Sequence, residues 1–108
     1  MAKKKVDYVA ELTVEELSKM SDVFRILGEP SRLKIVLALL EGEACVYHIV
    51  ERCGGTQSGV SHQLRVLKDN RVVKARRDGQ NVLYSIADRH VVEILTLSLQ
   101  HLACEVEA

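Results

Sequence analysis

No apolar run in this 108-residue chain approaches a membrane span. A bilayer asks for roughly 20 consecutive apolar residues, and the longest run here, Ile35 to Leu40, is far shorter. The opening MAKKKVDYVA is basic but lacks the apolar stretch and small-residue cleavage site of a secretory signal. The expectation is a chain that stays in the cytoplasm, with no membrane partner. Three unevenly spaced cysteines cannot make a disulfide framework and read as reduced thiols. There is no internal repeat, low-complexity tract or linker. With 47% hydrophobic residues the chain is not disordered, and its length allows one domain with a single core.

Net charge is also missing: 15 Lys and Arg balance 15 Asp and Glu. The balance is not local. Between Ser61 and Gly79 lie Arg65, Lys68, Arg71, Lys74, Arg76 and Arg77 against only Asp69 and Asp78. From Asp88 onward Arg89 faces Asp88, Glu93, Glu105 and Glu107. A local basic surface matters more for a phosphate-binding face than the global sum.

The order of elements follows from capping and periodicity. TVEE (Thr13 to Glu16) has the form of a capping box. Leu17, Met20, Phe24 and Leu27 then recur at helical spacing up to Gly28. Pro30 suits the first position of a second helix, whose expected buried stripe is Leu33, Val36, Leu37 and Leu40, with Gly42 at its end. A short helix over about Val46 to Cys53 leads into Gly54-Gly55, and Thr56 can cap the next helix to about Asp69. That helix should bury Val60, Leu64 and Leu67. VVKARRDGQNVLYSIA reads as a β-hairpin turning at Asp78-Gly79, and a last helix starts at Asp88. The sequence predicts a mainly α fold with one hairpin, a winged helix-turn-helix over 11–105. A basic arm (1–10), expected to be flexible, precedes it, and a tail (106–108) follows.

The helix after Gly54-Gly55 opens with Gln57, Ser58, Ser61 and His62, then Arg65. Short polar side chains let a helix N-terminus come close to a duplex, where its N–H groups favour phosphate and Gln reaches a base edge. Arg76 and Arg77 precede the hairpin tip, where a wing meets backbone or minor groove. These residues are the candidate DNA contacts; taken singly, each also fits a solvated surface. SGVSHQLRVLKDNRVVKARRDGQNVLYSI resembles the recognition helix and wing of the ArsR/SmtB family of small dimeric winged-helix repressors that sense metals. LGEPSRLKIVLALLEGE resembles the family's second helix. The likeness implies that Gln57, Ser58, Ser61 and His62 contact base and phosphate of a double-stranded operator.

His90 and His101 raise a separate question, because both lie on a strongly apolar terminal helix. Eleven helical steps amount to about 1100°, so the rings share a face to within ~20° but stand ~16 Å apart. One ion cannot join them within one helix, since metal–nitrogen bonds are ~2 Å. An antiparallel copy of the helix, with its two-fold axis near Leu95 and Thr96, brings each His90 to the other chain's His101. That predicts a homodimer through the terminal helices with two equivalent sites. Asp88, at the expected N-cap, can turn toward such a site. Cys104, three steps past His101, or Glu105, four steps past it, can supply the fourth ligand. The set suits Zn(II), with Co(II) or Cd(II) as alternatives.

This constellation also resembles the family's metal site on its last helix, an Asp-x-His pair completed by His-x-x-(His or Glu) from the other subunit. Asp88, His90 and His101 match, and Cys104 departs from the pattern. The likeness further implies that a ligated His101 donates its other ring N–H to a backbone carbonyl near Arg71. A repressor released from its operator by metal is the expectation. The rival is a winged helix answering to oxidants or sulfide through Cys45, Cys53 or Cys104. No general base or substrate pocket is evident, so neither an enzyme nor a small organic substrate is expected.

Overall fold

The computed structural model describes residues 5–104. Met1 to Lys4 of the basic arm, Glu105 and the 106–108 tail lie outside the described residues. Asp7 caps a single helical turn, α1 (Tyr8–Glu11), by accepting from the Ala10 N–H at 3.1 Å. The stretch read as a flexible arm therefore carries local helical structure at its end.

Helix α2 (Val14–Leu27) begins with the expected capping box: the Thr13 hydroxyl accepts from the Glu16 N–H, and Glu16 accepts from the Thr13 N–H, each at 3.0 Å. It stops at Gly28, whose N–H reaches the Phe24 carbonyl at 2.8 Å. Helix α3 (Pro30–Leu39) has Pro30 in its first turn and Glu29 as N-cap, accepting from the Ser31 and Arg32 N–H groups. Helix α4 (Val46–Cys53) and helix α5 (Gln57–Asp69) are joined through Gly54 and Gly55, both at positive φ. Side-chain-bearing residues pay a steric cost there that glycine does not.

Strands β1 (Val73–Asp78) and β2 (Asn81–Ile86) pair antiparallel from Val73 opposite Ile86 to Asp78 opposite Asn81, which leaves Gly79 and Gln80 as the turn. A bridge from Ala44 to Tyr84 extends this sheet on the far side of β2. Helix α6 (Arg89–Ala103) closes the order, with Asp88 as N-cap and Cys104 as C-cap.

The core is centred on Val36, Ile49, Leu64, Leu67 and Val72, all fully buried. Val60, Leu64 and Leu67 seat α5 as its periodicity predicts. The stripe expected on α3 needs correction: Ile35, Val36 and Leu39 are buried, whereas Leu33, Leu37 and Leu40 are only partly so. Helix α3 packs against α2, α4, α5 and β2. From Leu33 to Leu39 only Lys34 is exposed and the apolar residues face several neighbours, so periodicity alone does not choose its deepest face. On α2 only Leu27 of the expected row is buried; Leu17, Met20 and Phe24 are each more than half exposed within one chain.

Candidate functional site

Two surfaces collect the candidate residues. The first is the α4–turn–α5 unit with its hairpin. Thr56 holds the first turn of α5 by accepting from the Gly59 N–H at 3.0 Å. A Cβ at Gly59 would meet that same hydroxyl at 3.0 Å, so the cap itself favours glycine there. Gln57, Ser58, Ser61, His62 and Arg65 are all exposed, on the side opposite Val60, Leu64 and Leu67. An exposed N-terminal turn with small polar side chains and a buried opposite face is what insertion of a helix into a major groove requires.

Sequence reasoning missed what fixes the angle of α5. Gln63, half-buried, donates to the Ser31 hydroxyl at 3.4 Å and accepts from Arg32 at 3.3 Å. Arg32 also donates through Nε to the Ile26 carbonyl at 3.0 Å, so the end of α2, the start of α3 and the middle of α5 share one polar cluster. The only sequence signal was a polar residue inside an otherwise two-faced helix.

On the hairpin, Arg77 is exposed and makes no ion pair among the described residues. Arg76 does not stand free. It donates through Nε to Glu43 Oε2 at 2.9 Å and through Nη2 to Glu43 Oε1. The guanidinium of Arg76 holds the Glu43 carboxyl below the usual carboxylate range.

The second surface is α6. Asp88 Oδ1 accepts from the His90 N–H at 2.9 Å and the Val91 N–H at 3.2 Å, and His90 Nδ1 lies 3.4 Å from the same oxygen. Oδ2 takes part in no hydrogen bond among the described residues. The Asp88 and His90 side chains are 53% and 79% exposed, so both are accessible to an ion. They line one groove, about 460 Å³, together with Lys19, Asp22, Asn70 and Arg71. Arg71 sits between α5 and β1 in the left-handed region at φ 60°, and its N–H bonds the Lys68 carbonyl at 3.0 Å. The groove therefore touches both the head of α6 and the tail of α5, the helix that carries the candidate DNA contacts.

His101 and Cys104 are exposed at the other end of α6. Among the described residues no three potential ligands of one chain converge. The chain brings Asp88 to His90 and leaves His101 and Cys104 apart from them. Helix α6 has two apolar faces: Val91 and Leu95 are buried, while Leu97, Leu99 and Leu102 are exposed. A carboxylate, two imidazoles and a thiolate form a donor set that suits four-coordinate zinc, and the residues present fit it.

Of the other cysteines, Cys45 occupies the N-cap position of α4 without a side-chain capping bond, its Sγ 3.5 Å from His48 Nδ1, and Cys53 Sγ lies 3.6 Å from the Lys34 carbonyl. The two stand at opposite ends of α4. Eight helical residues rise ~12 Å, beyond the Cα separation a disulfide spans.

The matched family is described as bacterial regulatory protein, arsR family, and its match covers residues 29–75, from the N-cap of α3 into β1. A transcriptional repressor SmtB homolog of Synechocystis sp. is 40% identical over 91 residues, spanning 84% of this chain and 69% of that protein. The chain belongs to the ArsR family. Its members are DNA-binding transcriptional regulators, not enzymes. The cadmium resistance transcriptional regulatory protein CadC homolog of Staphylococcus aureus is 33% identical over 92 residues, 84% of this chain and 76% of that one. The solution structure of a homodimeric winged helix-turn-helix DNA-binding domain from Mycobacterium bovis matches with a TM-score of 0.78 at 28% identity. It covers 99% of this chain and 94% of that one. The ArsR chain thus has the winged helix-turn-helix fold that its sequence predicts. No helix among the described residues is long and apolar enough to cross a membrane.

Proposed function

We propose that this ArsR-family chain is a homodimeric repressor released from operator DNA by Zn(II), or by Co(II) or Cd(II), bound between its two terminal helices. The observation that carries the reading is the Asp88–His90 pair in a groove shared with Arg71. Asp88 and His90 of one protomer, with His101 and Cys104 of the other, would hold the ion; Glu105 is the alternative fourth ligand. When bound, the ion would supply a bond between the two chains in addition to their apolar contact.

The apolar contact has its own support. Leu17, Met20 and Phe24 on α2 and Leu97, Leu99 and Leu102 on α6 are exposed in the single chain. A hollow of about 240 Å³ between these helices is lined by Phe24, Leu37, Ile94, Leu99 and Leu102. Exposed apolar surface of this extent marks an association face, and a two-fold pair covers it with the same residues from each side.

On this reading Gln57, Ser58, Ser61, His62 and Arg65 meet the major groove and Arg77 meets the backbone near the wing. Two recognition helices must match half-sites about one duplex turn apart, so a small change in how protomers are joined alters the fit. Arg71 gives the route. On this reading the partner's imidazole that completes the Asp88–His90 pair would donate its second ring N–H to a backbone carbonyl near Arg71, which lines the same groove. A coupling of ~3 kcal/mol loosens DNA more than a hundredfold, and DNA weakens metal binding equally.

The test is a Co(II) titration of the reduced protein, with anisotropy of a duplex selected by the metal-free protein from a random pool. Intense ligand-field bands together with DNA release are expected, and a near-ultraviolet sulfur band that Cys104→Ser removes and Cys45→Ser keeps. DNA affinity that metal leaves unchanged overturns the proposal. The Cys45–His48 contact favours a second reading, a thiol switch on α4. Peroxide-driven DNA release that Cys45→Ser abolishes, in protein stripped of metal, would select it.

A further inference from the structure

We infer that Arg76 is a positioning residue of the wing, clasped by Glu43, and that it is not one of the cations offered to DNA phosphate. The inference rests on the DNA-binding reading of the wing and changes which residues carry it.

The register explains the clasp. Arg76 pairs with Leu83 and Arg77 with Val82, so successive side chains of β1 alternate faces. The bridge from Ala44 to Tyr84 lays the segment before α4 along the other edge of β2. Glu43, next to Ala44, then shares the face of Leu83 and Arg76. Arg76 reaches across β2 to meet it, joining residues 33 apart in sequence.

The bond is a two-point fork, through Nε and Nη2 to the two carboxylate oxygens. Arg–carboxylate forks fix geometry as well as charge, and they use the donor edge that would otherwise grip a phosphate. A phosphate approaching Arg76 also meets the Glu43 carboxylate, so the pair offers no net charge. Arg77, on the opposite face and without an ion pair among the described residues, does. Glu43 thus stands where a phosphate would, ties the wing to the start of the helix-turn-helix, and sets the angle at which Arg77 is presented.

Counterion release makes the two roles distinguishable. Each phosphate contact contributes about −0.9 to the slope of log affinity against log salt. The probe is a mixed-sequence duplex of about 30 bp, long enough for two half-sites, titrated with the metal-free full chain. Arg77→Gln should flatten the slope by about 1 to 2 per dimer, and Arg76→Gln should leave it within about 0.5. Glu43→Gln should steepen it by about 1 to 2, because it frees two arginines per dimer.

The charge swap is the stricter arm. Arg76→Glu alone should weaken binding by roughly tenfold, and Glu43→Arg combined with Arg76→Glu should restore it to within about threefold by rebuilding the clasp reversed. A swap as weak as Arg76→Glu alone, or an Arg76→Gln slope that falls like that of Arg77→Gln, overturns the inference. If the wild-type chain shows no salt-dependent affinity for the duplex, the DNA-binding reading fails by itself. The clasp is then judged by hydrogen exchange of the Ala44 and Tyr84 amides, which bond each other's carbonyls across the bridge. Faster exchange in both single variants and recovery in the swap support it; unchanged exchange in the single variants overturns it.

Discussion

His90 Nδ1 lies 3.4 Å from the Asp88 oxygen that also caps α6, so the carboxylate that starts the terminal helix also stands beside the first imidazole on it. The cap and the proposed ligand are separable by substitution. Asp88→Ser keeps a capping oxygen and removes the carboxylate; it should change stability by only a few tenths of a kcal/mol and weaken Co(II) by roughly a hundredfold. Asp88→Ala should lose both, at about 1 kcal/mol in urea unfolding. Equal Co(II) affinity in wild type and Asp88→Ser would remove Asp88 from the site.

Leu102 is 81% exposed in the single chain, and in the proposed dimer the second chain covers it. Leu102→Glu should shift the protein to monomer in sedimentation while leaving its helical circular dichroism intact. It should abolish tight Co(II) binding without touching a ligand. A dimer that survives the change would move the interface elsewhere.

Thr56 holds the first turn of α5, where the candidate DNA contacts lie, by one side-chain bond. Thr56→Ala should cost about 1 kcal/mol and Thr56→Ser little. Fraying of the Gln57–Ser61 turn should lower duplex affinity several-fold in the alanine variant alone. Leu64, with no exposed surface, is the anchor below; Leu64→Ala should cost 2–5 kcal/mol, on the order of other leucine truncations in a core.

Acid should destabilise the fold through three carboxylates. Glu16 is held below the usual range by the Thr13 N–H, Glu29 by the Ser31 hydroxyl and Glu43 by Arg76. Each binds its proton less tightly folded than unfolded, so unfolding takes up protons. Their contribution is complete above the unfolded-state values and is lost as pH falls through the lowered folded ones. The urea midpoint should therefore drop across the acid range, less steeply in a Glu16→Gln, Glu29→Gln, Glu43→Gln variant. An unchanged slope in that variant would assign acid sensitivity to other groups.

Much of this was legible because it is local. Thr13, Pro30, Thr56 and Asp88 announce helix starts through side-chain chemistry confined to one turn, and Asp78-Gly79 announces the hairpin. Val60, Leu64 and Leu67 show a two-faced helix by spacing alone. What escaped is non-local. The clasp of Arg76 by Glu43 and the grip of Arg32 on Gln63 join residues 33 and 31 apart, which no periodicity reports. Helix α3 hid its deepest face because it packs against four elements, α2, α4, α5 and β2. Leu17, Met20 and Phe24 show regular spacing but lie exposed, because spacing does not tell a core face from an association face.

The central claim is that each ion is shared between chains, and a mixed dimer tests it most directly. One protomer carries Asp88→Ala and His90→Ala; the other carries His101→Ala and Cys104→Ser. Neither parent alone should give tetrahedral Co(II) bands. After unfolding and refolding together, the heterodimer should recover one site, half the absorbance of wild type per dimer. Bands in either parent alone, or none in the verified heterodimer, would contradict the account.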